Sequence, residues 1–244
     1  MASLPPGKCC SQGYRYSGET TGKVAEFAGV ETYLAGDSSK TDKVVLILTD
    51  VLGPLFNNLQ LIADQFAEHG YYVVMPDMFN KDPVPLNPED PALLFQTWLP
   101  KHGPETVYPI IDAVTKEIKE KFKPKYLVGI GYCFGCRYLV GLQARGVLDA
   151  TVLNHPSFVQ EDELASIKSP ICIQAAQYDD IFPAELRHKS EEILIGTNQP
   201  FEITLYSQVA HGFAIRGDPE NPREKFARKQ AFCAAVEWFA EFAP

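Results

Sequence analysis

The period of apolar and polar positions changes repeatedly along the chain, and each change predicts an element. Residues 23–36, KVAEFAGVETYLAG, alternate on either side of Ala28-Gly29 and predict two short strands in a hairpin or bent pair. Residues 43–49, KVVLILT, form a continuous aliphatic run, the pattern of a strand covered on both faces. Leu59, Ile62, Ala63 and Phe66 then recur at helical spacing, with Gly70 placed to stop the helix. Residues 71–77 read as the next buried strand, cut by Pro76. Residues 76–104 are proline-rich and predict an irregular excursion with one short helix, of a length that usually serves function in a compact domain. Val107, Ile110, Ile111, Val114 and Ile118 predict an amphipathic helix ended by Pro124.

The alternation continues with a strand over 126–130, a corner, and a helix to about Arg145. Strands at 150–155, 170–176 and 201–207 follow, with helices at 183–194 and 222–242. Strands alternating with helices imply an α/β fold built on a mostly parallel, doubly wound sheet with helices on both faces. With no internal repeat or linker, residues 1–244 read as a single domain in which residues 1–22 form an irregular N-terminal segment.

Charge narrows the partners. A net charge of −9 opposes a nucleic-acid or anionic membrane surface. The N-terminus, MASLPPGKCCSQGYRYSGE, has no apolar signal region, and no apolar run reaches the ~18–20 residues of a membrane span. The expected compartment is cytoplasmic, where the six cysteines remain free thiols.

In open α/β sheets, ligands bind beyond the carboxyl ends of the strands. Asp50-Val51, Tyr132-Cys133-Phe134, His155, Asp179-Asp180 and His211 all stand there. Cys133 lies in G-Y-C-F-G, and three readings compete for it: an inert core thiol, a C-x-x-C redox pair with Cys136, or a nucleophile elbow with cysteine in place of serine. The order Cys133, Asp179, His211 after successive strands favours the nucleophile. Imidazole can take and return the thiol proton, a carboxylate behind it fixes the tautomer, and the N–H groups of Phe134 and Val51 can hold an oxyanion. A zinc site of Cys9, Cys10, Cys133 and Cys136 is disfavoured, because adjacent cysteines chelate poorly and no second C-x-x-C is present. Neither metal nor cofactor is expected.

The stretches GYCFG, AAQYDDIFPAELRH and YSQVAHGFAIRGD, together with KCC, VLILTDVLGPLFNN and NHPSF, resemble the dienelactone hydrolase family, particularly its fungal members. The resemblance implies an α/β-hydrolase fold and hydrolysis of small lactones or carboxylic esters through Cys133, Asp179 and His211, without a metal. It further implies that Asp50 stands where family members carry an acid that bonds the resting thiol. By the same resemblance Lys81 and Arg216 correspond to the places that bind a substrate carboxylate; independently of it, Trp98 or Tyr132 is expected to cover the ligand and His155 to line the pocket. The alternative on the same fold is a catalytically silent ligand-binding or thiol redox-sensing protein.

Overall fold

The computed structural model describes residues 1–244. Its sheet has eight strands: β1 (Lys23–Phe27), β2 (Val30–Ala35), β3 (Lys43–Leu48), β4 (Tyr72–Pro76), β5 (Tyr126–Tyr132), β6 (Ala150–Asn154), β7 (Ile171–Tyr178) and β8 (Phe201–Ala210). Their spatial order is β1-β2-β4-β3-β5-β6-β7-β8. The pairs β1–β2 and β2–β4 are antiparallel and the remainder parallel. Every residue of β4, β5 and β6 is buried, as uninterrupted apolar runs demand when helices cover both faces.

The helices are α1 (Asn57–Glu68), α2 (Pro91–Trp98), α3 (Pro104–Glu117), α4 (Gly135–Ala144), α5 (Glu161–Ala165), α6 (Ala184–Thr197), α7 (Phe213–Arg216) and α8 (Pro222–Glu241). On one face α1 meets α8 through Phe66 and Phe232, with ring centroids 4.8 Å apart. On the other, α3 meets α4 through Tyr108 and Tyr138 at 5.1 Å. α4 lies so close to β5 that a Cβ on Gly129 would stand 2.6 Å from a Leu139 methyl.

Successive strands leave β3 in opposite directions, β4 to one side and β5 to the other, so the switch point lies beyond the ends of β3 and β5. The proline-rich excursion does hold one short helix, α2, capped by the Asp90 carboxylate on the Leu93 amide. Two short helices, α5 and α7, have too few turns to show a period and are absent from the sequence reading. β8 also runs past residue 207, and its register against β7 shifts between Ala176 and Tyr178 so that Tyr178 pairs with Ala210. That shift fixes the relation between the two residues that follow these strands.

Candidate active site

Each chemical group sits at the end of a strand. Cys133 follows β5 with φ +48°, a conformation that costs a non-glycine residue energy and persists only where the surroundings enforce it. The enforcement is visible in the backbone. The Cys133 amide donates to Asn154 O, the Gly135 amide to Thr49 O, and the Ser157 amide to Cys133 O. Any side chain at Gly135 would run into the Leu48 carbonyl, and one at Gly131 would meet the Cys136 backbone at 3.0 Å. Both flanking glycines are therefore required by close approach. The amides of Val51 and Phe134 have no protein acceptor, whereas those of Leu52, Cys133 and Gly135 are engaged.

The Tyr178–Ala210 pairing brings the His211 amide to Tyr178 O at 3.1 Å and sets Asp179 beside the imidazole. His211 Nδ1–H donates to Asp179 Oδ2 at 2.9 Å. Asp179 Oδ1 also accepts the amides of Ile181 and Phe182, so the carboxylate is held from two directions. Asp180 is exposed, which resolves the choice between the two neighbouring aspartates by position. Gly212 carries φ +91°, and the Arg216 guanidinium lies against it where a Cβ would stand. Only glycine fits there.

His211 Nε2 faces the Cys10 thiol at 3.5 Å, and the sulfurs of Cys10 and Cys133 and the histidine donor nitrogen all lie within 4.8 Å of one another. Cys133 Sγ also meets Ser157 Oγ at 3.5 Å. Burial alone would raise the Cys133 pKa. The hydrogen bond from Cys10 and the charges of His211 and Arg216 outweigh it and hold the thiol well below its usual value. Burial lowers the His211 pKa, but the Cys133 thiolate and Asp179 prevail and raise it. Both shifts favour a thiolate–imidazolium pair. Burial pushes the Cys10 thiol well above its usual range, so Cys10 remains the protonated partner.

Cys10 arrives from the N-terminal segment, which runs across the carboxyl edge of the sheet. A 3-10 turn at Lys8–Ser11 carries it. Backbone bonds from Ala2 to Val159 O, Leu4 to Ile181 O, Tyr14 to Arg216 O and Asn87 to Ser11 O tie the segment down. Cys133 is 0 % exposed, and a cleft of about 200 Å³ lined by Cys9, Gln12, Tyr14, His211, Phe213 and Arg216 reaches the imidazole beside it.

Several sequence expectations change here. Asp50 does not bond the thiol: its Oδ2 accepts from Arg216 Nη1 at 2.6 Å and its Oδ1 from the Leu52 amide. Burial pushes its carboxyl up to about 6 in spite of the guanidinium alongside. Arg216 is not free for a ligand carboxylate. Its Nε and Nη2 are engaged by Gln12 O and Cys9 O, and it is 2 % exposed. Lys81 pairs with Glu31 at 3.3 Å on the surface, beside the antiparallel edge of the sheet, and shares no crevice with Arg216. Trp98 is interior: its indole donates to Asp82 O at 2.6 Å and its ring stacks on His102 at 4.1 Å. It supports the wall behind Phe134, 5.6 Å away.

Tyr132 lines a different cavity, of about 810 Å³, between the N-terminal segment, α1 and α8; that cavity reaches none of Cys133, Asp179 and His211. His155 is fully buried and lines neither cavity. Its ring stands 4.9 Å from that of His211, both its nitrogens lack a protein partner, and burial holds it neutral. Cys136 turns away, its thiol donating to Asn154 O at 3.5 Å while burial raises its pKa, so the C-x-x-C does not form a facing pair. The residues missed in sequence are Cys10 and Ser157. The Cys9-Cys10 doublet is the sequence signal for the first, and the place of the second in NHPSF, just past β6, is its signal.

Comparison with known proteins agrees with this architecture. The chain is 44% identical over 250 residues to the hydrolase tropI of Talaromyces stipitatus, covering 99% of this chain and 98% of the relative. It is 40% identical to the hydrolase pyvD of Aspergillus violaceofuscus, covering 99% of each. The crystal structure of a putative dienelactone hydrolase from Klebsiella pneumoniae shares the fold, with a TM-score of 0.76 at 17% identity over 91% of this chain and 98% of that one. No helix is long and apolar enough to cross a membrane. A thiol, an imidazole and a carboxylate converging on one edge of an α/β-hydrolase sheet form a triad-like arrangement suited to hydrolysing lactones and carboxylic esters through a cysteine. Since residues 30–243 also match the model of the dienelactone hydrolase family, the chain belongs to that family of hydrolases.

Proposed function

We propose that the protein hydrolyses small lactones or carboxylic esters with Cys133 as nucleophile, His211 as proton carrier and Asp179 as the group that orients it. One observation carries the reading: a thiol held at φ +48° beside an imidazole whose far nitrogen is fixed at 2.9 Å by a buried carboxylate. The Cys133 thiolate attacks the carbonyl carbon, and the oxyanion is held by the unpaired amides of Val51 and Phe134. Collapse breaks the carbon–oxygen bond, and the departing alkoxide takes the proton from His211 Nε2. In a lactone that hydroxyl stays tethered to the acyl chain. Water, deprotonated by His211, then cleaves the thioester, releasing the carboxylic acid and restoring the Cys133 thiolate beside the protonated imidazole.

A cleft of about 200 Å³ is smaller than the roughly 300–1,000 Å³ of sites for drug-sized ligands, so small substrates suit it. A neutral lactone or ester suits it better than an anion, because Arg216 is spent on Asp50 and Lys81 on Glu31. The test is intact-mass detection of an acyl adduct on Cys133 after rapid mixing with neutral lactones, esters and their carboxylate-bearing analogues. An adduct on wild type and none on Cys133→Ala supports the reading. Turnover by Cys133→Ala at the wild-type rate overturns it.

A further inference from the structure

Cys10 makes or breaks no bond in this hydrolytic scheme, yet its sulfur is in hydrogen-bond contact with His211 Nε2, at 3.5 Å. From the convergence of Cys10, Cys133 and His211 we infer that these three residues form a binding site for a thiophilic d¹⁰ cation such as Zn²⁺, which silences the centre when bound. Tetrahedral bonds of about 2.3 Å to sulfur and about 2.0–2.1 Å to nitrogen place neighbouring donors roughly 3.6 Å (S to N) and roughly 3.8 Å (S to S) apart. The Cys10–His211 separation already matches the first distance. The remaining donor pairs lie within 4.8 Å, so closure requires a movement of about 1.2 Å at most.

The surroundings fit a metal as well as the distances do. Asp179 holds Nδ1–H, so Nε2 is the nitrogen turned to the sulfurs, and a carboxylate-backed imidazole is the usual form of a histidine ligand. Cys10 is positioned before any ion binds: its amide donates to Gly7 O, and Arg216 grips the neighbouring Cys9 carbonyl. Two thiolates together with Asp179 offset the divalent charge, and Asp50 already offsets Arg216, so the cation brings no unpaired positive charge. The fourth position is left to water, on the side where the cleft lined by Cys9 reaches His211.

Binding at neutral pH releases two protons, one from the Cys10 thiol and one shared by Cys133 and His211. The metal then occupies the sulfur lone pair that would attack and the nitrogen lone pair that would accept the proton. This silencing rests on the hydrolase reading above; the binding itself rests on the donor geometry alone.

The experiment titrates the full chain, reduced with a phosphine so that no added thiol competes, with Zn²⁺ against a metallochromic chelator and with Co²⁺ by absorption. Hydrolysis is followed in parallel. The expected result is one Zn²⁺ per chain, thiolate-to-cobalt charge-transfer bands with the intense visible absorption of a tetrahedral site, and loss of hydrolysis that EDTA reverses. Cys10→Ala and the near-isosteric Cys10→Ser should each weaken Zn²⁺ binding by more than the roughly 10–100-fold that follows loss of a group behind a ligand. Their zinc sensitivity, measured against each variant's own metal-free rate, should disappear, whereas Cys136→Ala should bind zinc like wild type. Absence of stoichiometric zinc, absence of thiolate charge transfer, or wild-type affinity in either Cys10 variant would overturn the site. Zinc bound at one per chain with hydrolysis unaffected would overturn the silencing and, separately, the assignment of Cys133 as nucleophile.

Discussion

Arg216 and Asp50 form an ion pair at 2.6 Å in which neither side chain is more than 1 % exposed. The guanidinium also gathers Gln12 O and Cys9 O, so this one residue joins the loop after β8, the loop after β3 and the N-terminal segment. Breaking a buried pair by removing one partner leaves an uncompensated charge, at a cost of about 3–5 kcal/mol. Asp50→Ala is expected to lose stability on that scale in urea unfolding. Replacement of both partners by apolar residues of similar volume should cost much less than the two single changes added together.

Cys133→Ala should remove turnover while leaving the far-ultraviolet circular dichroism unchanged, since the thiol makes no bond on which the fold depends. Cys133→Ser should retain weak activity that depends more heavily on His211 than in wild type, because a hydroxyl needs the base far more than a thiol does. Comparing His211→Ala in the two backgrounds checks this. The loss should be about 10²–10⁴-fold on the cysteine enzyme and larger on the serine variant.

The pH profile follows from the direction of two shifts. Cys133 is held below the usual thiol range and His211 is raised to about 10. The thiolate is therefore lost only as pH falls through the depressed Cys133 pKa, and the imidazolium only as pH rises through about 10. The kcat/KM profile should be flat across neutral pH with an alkaline fall near 10. An unassisted thiol would instead give a rise centred near ~8.5. Iodoacetamide alkylation of Cys133 provides the independent check, and in His211→Ala its rate should revert to such a rise.

Cys136→Ala should retain hydrolysis. Its thiol points to Asn154 O and is buried on the β6 side of α4. A measured dithiol potential for Cys133 and Cys136 near thioredoxin's, about −270 mV, would contradict the observed geometry.

Much of the fold is legible in sequence because strand burial and helix amphipathicity are local patterns. The run VVLILT announces β3, and the spacing Leu59, Ile62, Ala63, Phe66 announces α1. The candidate triad is legible for the same reason: a rule of fold geometry puts chemistry at strand ends, and Cys133, Asp179 and His211 are the residues found there. The short α5 and α7 escape because a single turn carries no period.

What sequence alone determines, then, is which residues reach the carboxyl edge of the sheet. Tertiary structure decides what each meets on arriving. The register shift between β7 and β8 makes Asp179 and His211 partners. Arg216 turns inward to Asp50 because a buried carboxylate requires a countercharge, and the guanidinium supplies it at 2.6 Å. Lys81 goes to Glu31 at 3.3 Å on the surface, so the two cations that sequence would join are parted. Cys10, on a segment without periodicity, reaches His211 across 201 positions of chain, and no local pattern encodes a contact of that range. Side-chain direction in a loop is set by whichever neighbours satisfy its polar atoms, and those neighbours come from elements far apart in sequence.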